Sequence, residues 1–419
     1  MGVPFSVIGS CSLRALMVRG TEGHSGSSRW DWQGEAGSRH AVASTLLQGQ
    51  APSAIFLTGA SIQRRDGGKR PVRLTQVDRL RPGVQIAASI PTAEGEYLAE
   101  AGQTVDRDLI NSLRVRGISR VYTRDPLTDD IEIVSVLTES TRDEAMGTVA
   151  DAFAGVGSNQ SLRSVCTSMI QEVRASEGAV QGIVPIYPLS DHLVAHSVFS
   201  TLHALLVAAE VNMDAGAMLS LAMGMLLHDI GSAQYQATIE VPGKLTELER
   251  EEFQQHTRAG FELLREMLSA MPLGRSIALS HHERMDGSGY PRGLEGEDIP
   301  DLVRIASVAD VFTAMISDRY HRPAMMTDEA ISYLLTQGMS KFDSDFTVAL
   351  TRRVEIYPSG VWIRLRDGRA GIVLGSRRMN TVRPTVRILE DERRKPLSTP
   401  LDIDLSIHSD LFIADVFLN

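Results

Sequence analysis

From about Ser140 to Leu350, apolar residues recur at helical spacing through one segment after another, and histidines and carboxylates recur among them. The segments RDEAMGTVADAFAGV, LRSVCTSMIQEVRA, AHSVFSTLHALLVAAE, AGAMLSLAMGMLLHDIG and TELEREEFQQHTRAGFELLREML each carry an apolar stripe and break at Gly, Pro or Asn. This predicts a helical bundle over 140–350. Of the 11 histidines, eight lie between His192 and His321. In EEFQQHTRAGFELLREM, the residues Phe253, His256, Gly260, Leu263 and Met267 share one stripe, so His256 points into the core. The same spacing puts His196, Phe199, His203 and Leu206 on one face, with His192 one turn earlier. His228 and Asp229 end a strongly hydrophobic helix just ahead of Gly231, and Asp310 lies on a face of small residues with Ala306, Thr313 and Ser317.

Buried imidazoles and carboxylates are costly unless paired or coordinated. One such histidine is most simply a hydrogen-bonded core residue. For His196, His228, Asp229, His256, His281, His282 and Asp310 together, a shared metal cluster is the economical account. Imidazoles with carboxylates and no thiolates suit iron, manganese or zinc, and the carboxylate share leans towards a bridged pair of Fe or Mn ions. Two such ions, about 3.5–4 Å apart, would activate water and neutralise a phosphodiester.

The flanks differ. Residues 1–70 are rich in Gly, Ser, Ala, Gln and Arg without sustained periodicity and read as a disordered extension. Over 71–125, VRLTQVDRLRPGVQIAASI, EGEYLAEAGQTVD and RDLINSLRVRGISRVYTRD predict short strands, a turn at Arg81-Pro82-Gly83, a helix near 106–116 and a closing strand: a small α+β module. Over 355–419, VWIRLRDGRAGIVLG, TVRPTVRIL and LDIDLSI alternate as strands joined by turns such as Asp367-Gly368, predicting a small β module. Between 352 and 395 there are 12 Lys or Arg against 5 Asp or Glu, which reads as a solvated basic surface. The whole chain carries a net charge of -10, which argues against nonspecific nucleic-acid binding. Its two cysteines, Cys11 and Cys166, make neither a disulfide framework nor a thiolate site, so a cytoplasmic setting is expected. No apolar run approaches the roughly 20 residues of a membrane span, and the N-terminus lacks the basic region of a signal peptide.

LLHDIG, EEFQQH, HHERMDGSGYPRGLEGEDIP and RIASVADVFTAMISDRYHRPA together resemble the HD-GYP family of bacterial cyclic di-GMP phosphodiesterases, a branch of the HD metal-dependent phosphohydrolases. The resemblance covers roughly 185–350. It implies a mainly α HD-type bundle with a bi- or trinuclear metal centre that hydrolyses cyclic di-GMP to pGpG or on to GMP. Carried over by position, the ligands would be His196, His228, Asp229, His256, His281, His282 and Asp310, with Asp229 bridging the ions and His228 beside it as the catalytic pair. His192 stands where three-metal members carry a glutamate, and it could be a ligand or a core histidine. The flanking modules resemble those that often precede and follow such domains.

One position departs from the pattern. Where the family reads HDIGK, this chain reads HDIGS, so Ser232 removes a point charge from where a developing anion would benefit. Arg284, Arg319 and Arg322 are candidate replacements; Lys244 belongs to the following loop. The departure keeps a second reading open, a cyclic di-GMP receptor or signalling scaffold without turnover. A third keeps the enzyme and changes the nucleotide.

HHERMDGSGYP divides the work. His281 and His282 are expected to deliver two imidazoles from a helix end. Asp286, Gly287, Gly289, Tyr290 and Pro291 are expected to form a loop that shapes the substrate pocket or meets other signalling proteins such as diguanylate cyclases, with glycine permitting backbone angles that side chains forbid. A homodimer is compatible with this arrangement.

Overall fold

A computed structural model describes residues 73–418 apart from 126–133, 177–178, 236–245, 270 and 320–321. The expected 1–70 extension and Lys244 lie outside the described residues. The elements, in order, are β1 (Arg73–Gln76), β2 (Ile90–Pro91), β3 (Tyr97–Ala99), α1 (Arg107–Val115), β4 (Arg120–Thr123), α2 (Glu139–Phe153), α3 (Asn159–Ala175), α4 (His192–Glu210), α5 (Ala215–Leu226), α6 (Glu247–Gln254), α7 (His256–Met267), α8 (Pro272–Ser280), α9 (Asp301–Met315), α10 (Thr327–Leu335), α11 (Ser344–Thr351), β5 (Trp362–Leu365), β6 (Ala370–Gly375), β7 (Thr385–Glu390), β8 (Pro396–Asp404) and β9 (Ile413–Phe417).

Helix α4 organises the rest. It has no charged residue before Glu210, and a helix that is apolar all round must be wrapped all round. Every residue of it but the last two is buried, against α2, α3, α5, α9 and α11. Together with the preceding turn, Leu189–Glu210 is long and apolar enough to cross a membrane by length and composition, yet 94% of its apolar window is buried inside the fold. Its partner α9 is buried along both faces, with only Asp301 and Arg304 not buried. Each large aliphatic side chain so buried contributes about 1.5–3 kcal/mol, so this helix pair is a major source of the bundle's stability. The helices start where the sequence supplies caps: Asp214 accepts from Gly216 and Ala217, Ser158 from Ser161, and Thr246 with Glu249 forms a capping box.

One element differs from its prediction. The single helix expected through TELEREEFQQHTRAGFELLREML is two, α6 and α7, meeting at Gln255. Leu263, expected on the buried stripe, is 49% exposed, and Leu264 is buried instead. The junction brings His256 to the first position of α7. There Gly231 packs so closely that a Cβ on it would meet the His256 carbonyl and the Gly260 backbone.

The N-terminal segment pairs β1 with β4 and β2 with β3, both antiparallel. It is bonded into the bundle along a continuous seam. Leu189 N–H donates to Arg116 O at 3.0 Å, Ala93 N–H to Asp191 Oδ2 at 2.9 Å, and Arg120 Nη2 to Ile316 O at 2.6 Å. The C-terminal sheet has the order β8-β7-β6-β5-β9, all antiparallel. Many of its arginines act as braces: Arg378 grips Glu210 at the end of α4, Arg387 pairs with Asp402, and Arg383 donates to three backbone carbonyls.

Candidate metal centre

Two groups of buried side chains converge at the ends of these helices. In one, Asp229, His256, His281 and His282 bring their potential ligand atoms within 4.8 Å of one another; in the other, His196, His228 and Asp310 do the same. His196 comes from the first turns of α4, and His228 and Asp229 from the turn after α5. His256 opens α7, His281 and His282 follow α8, and Asp310 lies mid-way along α9.

Asp229 stands between the groups. Its Oδ1 is 3.6 Å from both His256 Nε2 and His281 Nε2, and its Oδ2 is 3.6 Å from His228 Nε2. His228 Nε2 is in turn 3.7 Å from Asp310 Oδ1. These spacings are too long for hydrogen bonds. They approach the roughly 3–3.5 Å between ligand atoms that share an ion with bonds of about 2.1 Å.

Hydrogen bonding provides the test of fit. His228, His256 and His281 each place Nδ1 on a backbone carbonyl, of Met225, Phe253 and Ile277, at 2.7, 2.7 and 2.9 Å. A carbonyl only accepts, so each Nδ1 carries a proton and Nε2 is left facing inward as the potential ligand atom. Those three Nε2 atoms, both ring nitrogens of His282 and Asp310 Oδ2 are buried without hydrogen-bond partners. Unpartnered lone pairs collected in a dry site are costly, and divalent cations are the group that fits them.

Electrostatics agree with the geometry. Burial, only partly offset by the charge of Asp229, pulls His256 down to about 4, and burial together with the neighbouring histidines holds His282 well below its ordinary value. Burial also lowers His228, but Asp229 and Asp310 outweigh it and carry that ring up to about 9. Asp229 and Asp310, which burial alone would raise, are held well below the usual carboxylate range by the surrounding histidines.

The remaining expected residues separate. Ser232 is buried and directs its hydroxyl to Asp229 Oδ1 at 3.3 Å, so the residue in place of lysine touches the carboxylate between the groups. Arg319 lies against the second group, with Nη1 3.4 Å from His192 Nδ1 and Nη2 3.3 Å from His196 Nδ1. His192 stacks on Tyr187 and belongs to neither group. Arg284, expected as a charge for the phosphate, is instead drawn into the fold. It donates to the carbonyls of His281 and Glu283 and to Ser307 Oγ, over the Phe342 ring, and so braces the backbone beneath the histidine pair. Arg322, expected in the same role, caps the carbonyl end of α9 at Ala314 and Met315.

The glycine loop folds back over His282. Tyr290 N–H donates to His282 O at 3.2 Å and the Tyr290 ring stacks on that imidazole at 4.7 Å. Gly289 makes this possible, since a Cβ there would strike the backbone of Glu283 and Arg284. Asp286 turns the chain by accepting from Ser288 N–H, and Gly287 takes a φ of 72°. Glu283 escaped the sequence reading. Its buried carboxylate accepts from Arg292 and Leu294 N–H at 2.9 and 3.0 Å and ties down the far side of the loop past Pro291. Its place between the histidine pair and the loop was the available signal.

A helical bundle that gathers histidines and an adjacent His-Asp pair around two buried groups is the arrangement of a metal-dependent HD domain. The family model for the HD domain matches residues 187–346, and that for a KOW domain associated with HD domain matches 362–418. Residues 187–346 thus form an HD domain, and the HHERMDGSGYP loop within it is of the HD-GYP type. It is 30% identical over 257 residues to a cyclic di-GMP phosphodiesterase of Pseudomonas aeruginosa, covering 60% of this chain and 62% of that one. It is 42% identical over 149 residues to a cyclic di-GMP phosphodiesterase response regulator of Xanthomonas campestris, covering 35% of this chain and 39% of that one. A 3'3'-cGAMP-specific phosphodiesterase of Vibrio cholerae is 31% identical over 170 residues, covering 40% of this chain and 37% of that one. The matches thus span less than two thirds of these relatives' lengths.

Proposed function

We propose that this protein is a metal-dependent phosphodiesterase that hydrolyses cyclic di-GMP to pGpG or on to GMP, lowering the second messenger that governs biofilm, motility and virulence. The observation that carries this reading is the convergence of unpartnered Nε2 and carboxylate atoms on two linked groups. His196, His228 and Asp310 would hold one ion, His256, His281 and His282 the other, and Asp229 would bridge them. The absence of thiolates and the two carboxylates favour Fe or Mn. When bound, such a pair neutralises the phosphodiester and acidifies the attacking water.

The chain's own residues do the rest. Three Nδ1–H bonds to carbonyls lock the imidazoles in the orientation that an ion needs. Asp229, between both groups, and His228, beside it at 3.6 Å, form the catalytic pair placed to orient the attacking water, whose proton is taken up by the departing oxygen. The leaving group is the ribose 3′ oxygen, so each turnover consumes one water and breaks one P–O bond. Tyr290 over His282 walls the approach, and Arg319, against His192 and His196, would take the part that Ser232 cannot. The exposed Ser288 and Gly293 at the loop tip offer a surface to other signalling proteins, diguanylate cyclases among them. A cytoplasmic setting and the cyclic dinucleotide as partner belong to the same reading.

The test is product chromatography with purified protein loaded anaerobically with Fe(II) or Mn(II). Formation of pGpG or GMP well above a His228→Ala control is expected, and its absence would overturn the proposal. Ser232 supports the second reading, a receptor without turnover; tight binding of intact cyclic di-GMP in calorimetry, with a large gain in rate on Ser232→Lys, would establish it. Parallel assays with 3'3'-cGAMP decide the nucleotide.

A further inference from the structure

His196 differs from the other histidines of the centre in where its proton must be. The ring nitrogens Nδ1 of His228, His256 and His281 face carbonyls, which fixes their protons on Nδ1. Nδ1 of His196 faces Nη2 of Arg319 at 3.3 Å. A guanidinium has donors only, so this nitrogen is the acceptor and the proton sits on Nε2, where Asp310 Oδ1 receives it at 2.8 Å. In that state Nε2 has no lone pair to give to an ion. Ligation through Nε2 moves the proton to Nδ1, where it would point into the guanidinium. The Ser200 hydroxyl, 3.4 Å from each ring nitrogen of His196, can accept it.

Arg319 is itself positioned from outside the bundle. The carboxylate of Asp318, one residue before it, accepts from Ser119 N–H at 2.9 Å and Ser119 Oγ at 2.6 Å, both at the start of the strand β4 region. Asp318 also receives Ala324 N–H at 2.9 Å, and Arg120 holds the Ile316 carbonyl on the same turn. Thus the N-terminal segment grips the turn that carries Arg319.

We propose that Arg319 and the ion of the His196, His228 and Asp310 group compete for His196, and that the Ser119–Asp318 bond sets the balance. Ser119 and Asp318 are positioning residues acting through Arg319. With Arg319 on Nδ1, His196 is locked to Asp310. With Arg319 withdrawn, Ser200 takes the Nδ1 proton and His196 joins the ligands. Coupling of this kind is reciprocal, so filling that group also loosens the grip of Arg319 on α4. The group around His256, His281 and His282 is untouched. The inference rests on the metal-centre reading proposed above.

Two measurements on the full chain test it. Histidine-selective ¹⁵N NMR of the metal-free protein is expected to show His196 with its proton on Nε2, His256 and His281 with theirs on Nδ1, and His196 switched to Nδ1–H in Arg319→Gln. A proton on Nδ1 of His196 in the unaltered protein overturns the proposal. In anaerobic calorimetry with Mn(II), Ser119→Ala, which changes no charge, is expected to tighten the weaker of two sites by about threefold, and Arg319→Gln by about tenfold. Ser119→Thr restores the original affinity, and Ser119→Ala adds nothing to Arg319→Gln. Equal affinities in all variants, or additive effects, overturn the proposal while leaving the metal centre standing. Failure of the unaltered protein to bind Mn(II) at all removes the metal centre and the inference with it.

Discussion

Asp229 and Glu355 are both carboxylates sealed from solvent, and they are used in opposite ways. Glu355 follows the bundle, where burial pushes its carboxyl up to about 7. Its oxygens accept from Ser359 N–H at 2.7 Å, Ser359 Oγ at 3.0 Å and Ser376 N–H at 3.2 Å. Donors surround it, and it joins the bundle to the first strands of the sheet. Asp229 receives only a long hydroxyl contact from Ser232, and three imidazole nitrogens stand around it at 3.6 Å without closing a hydrogen bond. A buried acid whose neighbours satisfy it is architecture. A buried acid among orphaned acceptors is half of a site whose other half is a cation.

Exchanging the two tests this contrast most severely. Asp229→Ala is expected to lose both ions in elemental analysis and to cut turnover by at least about 10³-fold, with the fold kept, because it removes a costly charge. Retention of two ions by that variant would erase the distinction. Glu355→Ala should do the reverse, keeping its metal while denaturant unfolding shows a loss of about 2–4 kcal/mol, since it strands the buried Ser359 N–H and the part-buried Ser376 N–H.

Gly289→Ala sharpens the comparison on the substrate side. The added methyl collides with the Glu283 and Arg284 backbone, so the loop must lift away from His282. The kcat/KM should fall about 10–100-fold with metal content unchanged; an unaltered kcat/KM would show that the loop does not shape the pocket.

The smallest effect is expected at Asp328, an acid between the two extremes. Its Oδ1 is buried without a hydrogen-bond partner, but it belongs to neither metal group. Burial, then the charge of Glu329, raises it to about 7. A carboxyl with a raised folded pKa contributes stability that is complete below about pH 4 and lost as pH rises towards 7. Asp328→Asn should therefore flatten the fall in Tm between pH 4 and 7 and melt a few degrees higher near neutrality. A pH profile identical to that of the unaltered protein would show that the lone orphan oxygen is satisfied in solution.

The helical character of the bundle was legible because α4, α5 and α9 are apolar beyond any alternative, and the strands of 362–417 because they alternate between turns. The convergence of histidines was legible from apolar stripes alone, since a stripe says which way a side chain points. The break at Gln255 was not, because the apolar period runs through it uninterrupted. Arginine roles were the least legible. Arg284, Arg319 and Arg322 look alike in sequence, and only the backbone decides that two of them serve carbonyls while one meets two imidazoles.

Helix α4 has a consequence for how this protein can be cut and rejoined. Its 19 residues make a rod of about 28 Å, with His192 and His196 at one tip and Glu210 at the other, where Arg352 and Arg378 clasp it. Every lateral surface of that rod except its final two residues is packed, so it behaves as one stiff unit from tip to tip. A truncation that leaves out the C-terminal sheet removes the clasp of Arg378 from one tip and thereby releases a constraint on the imidazoles at the other. Grafting experiments that treat the sheet as a detachable tail will also remove a clasp on the helix that carries His192 and His196.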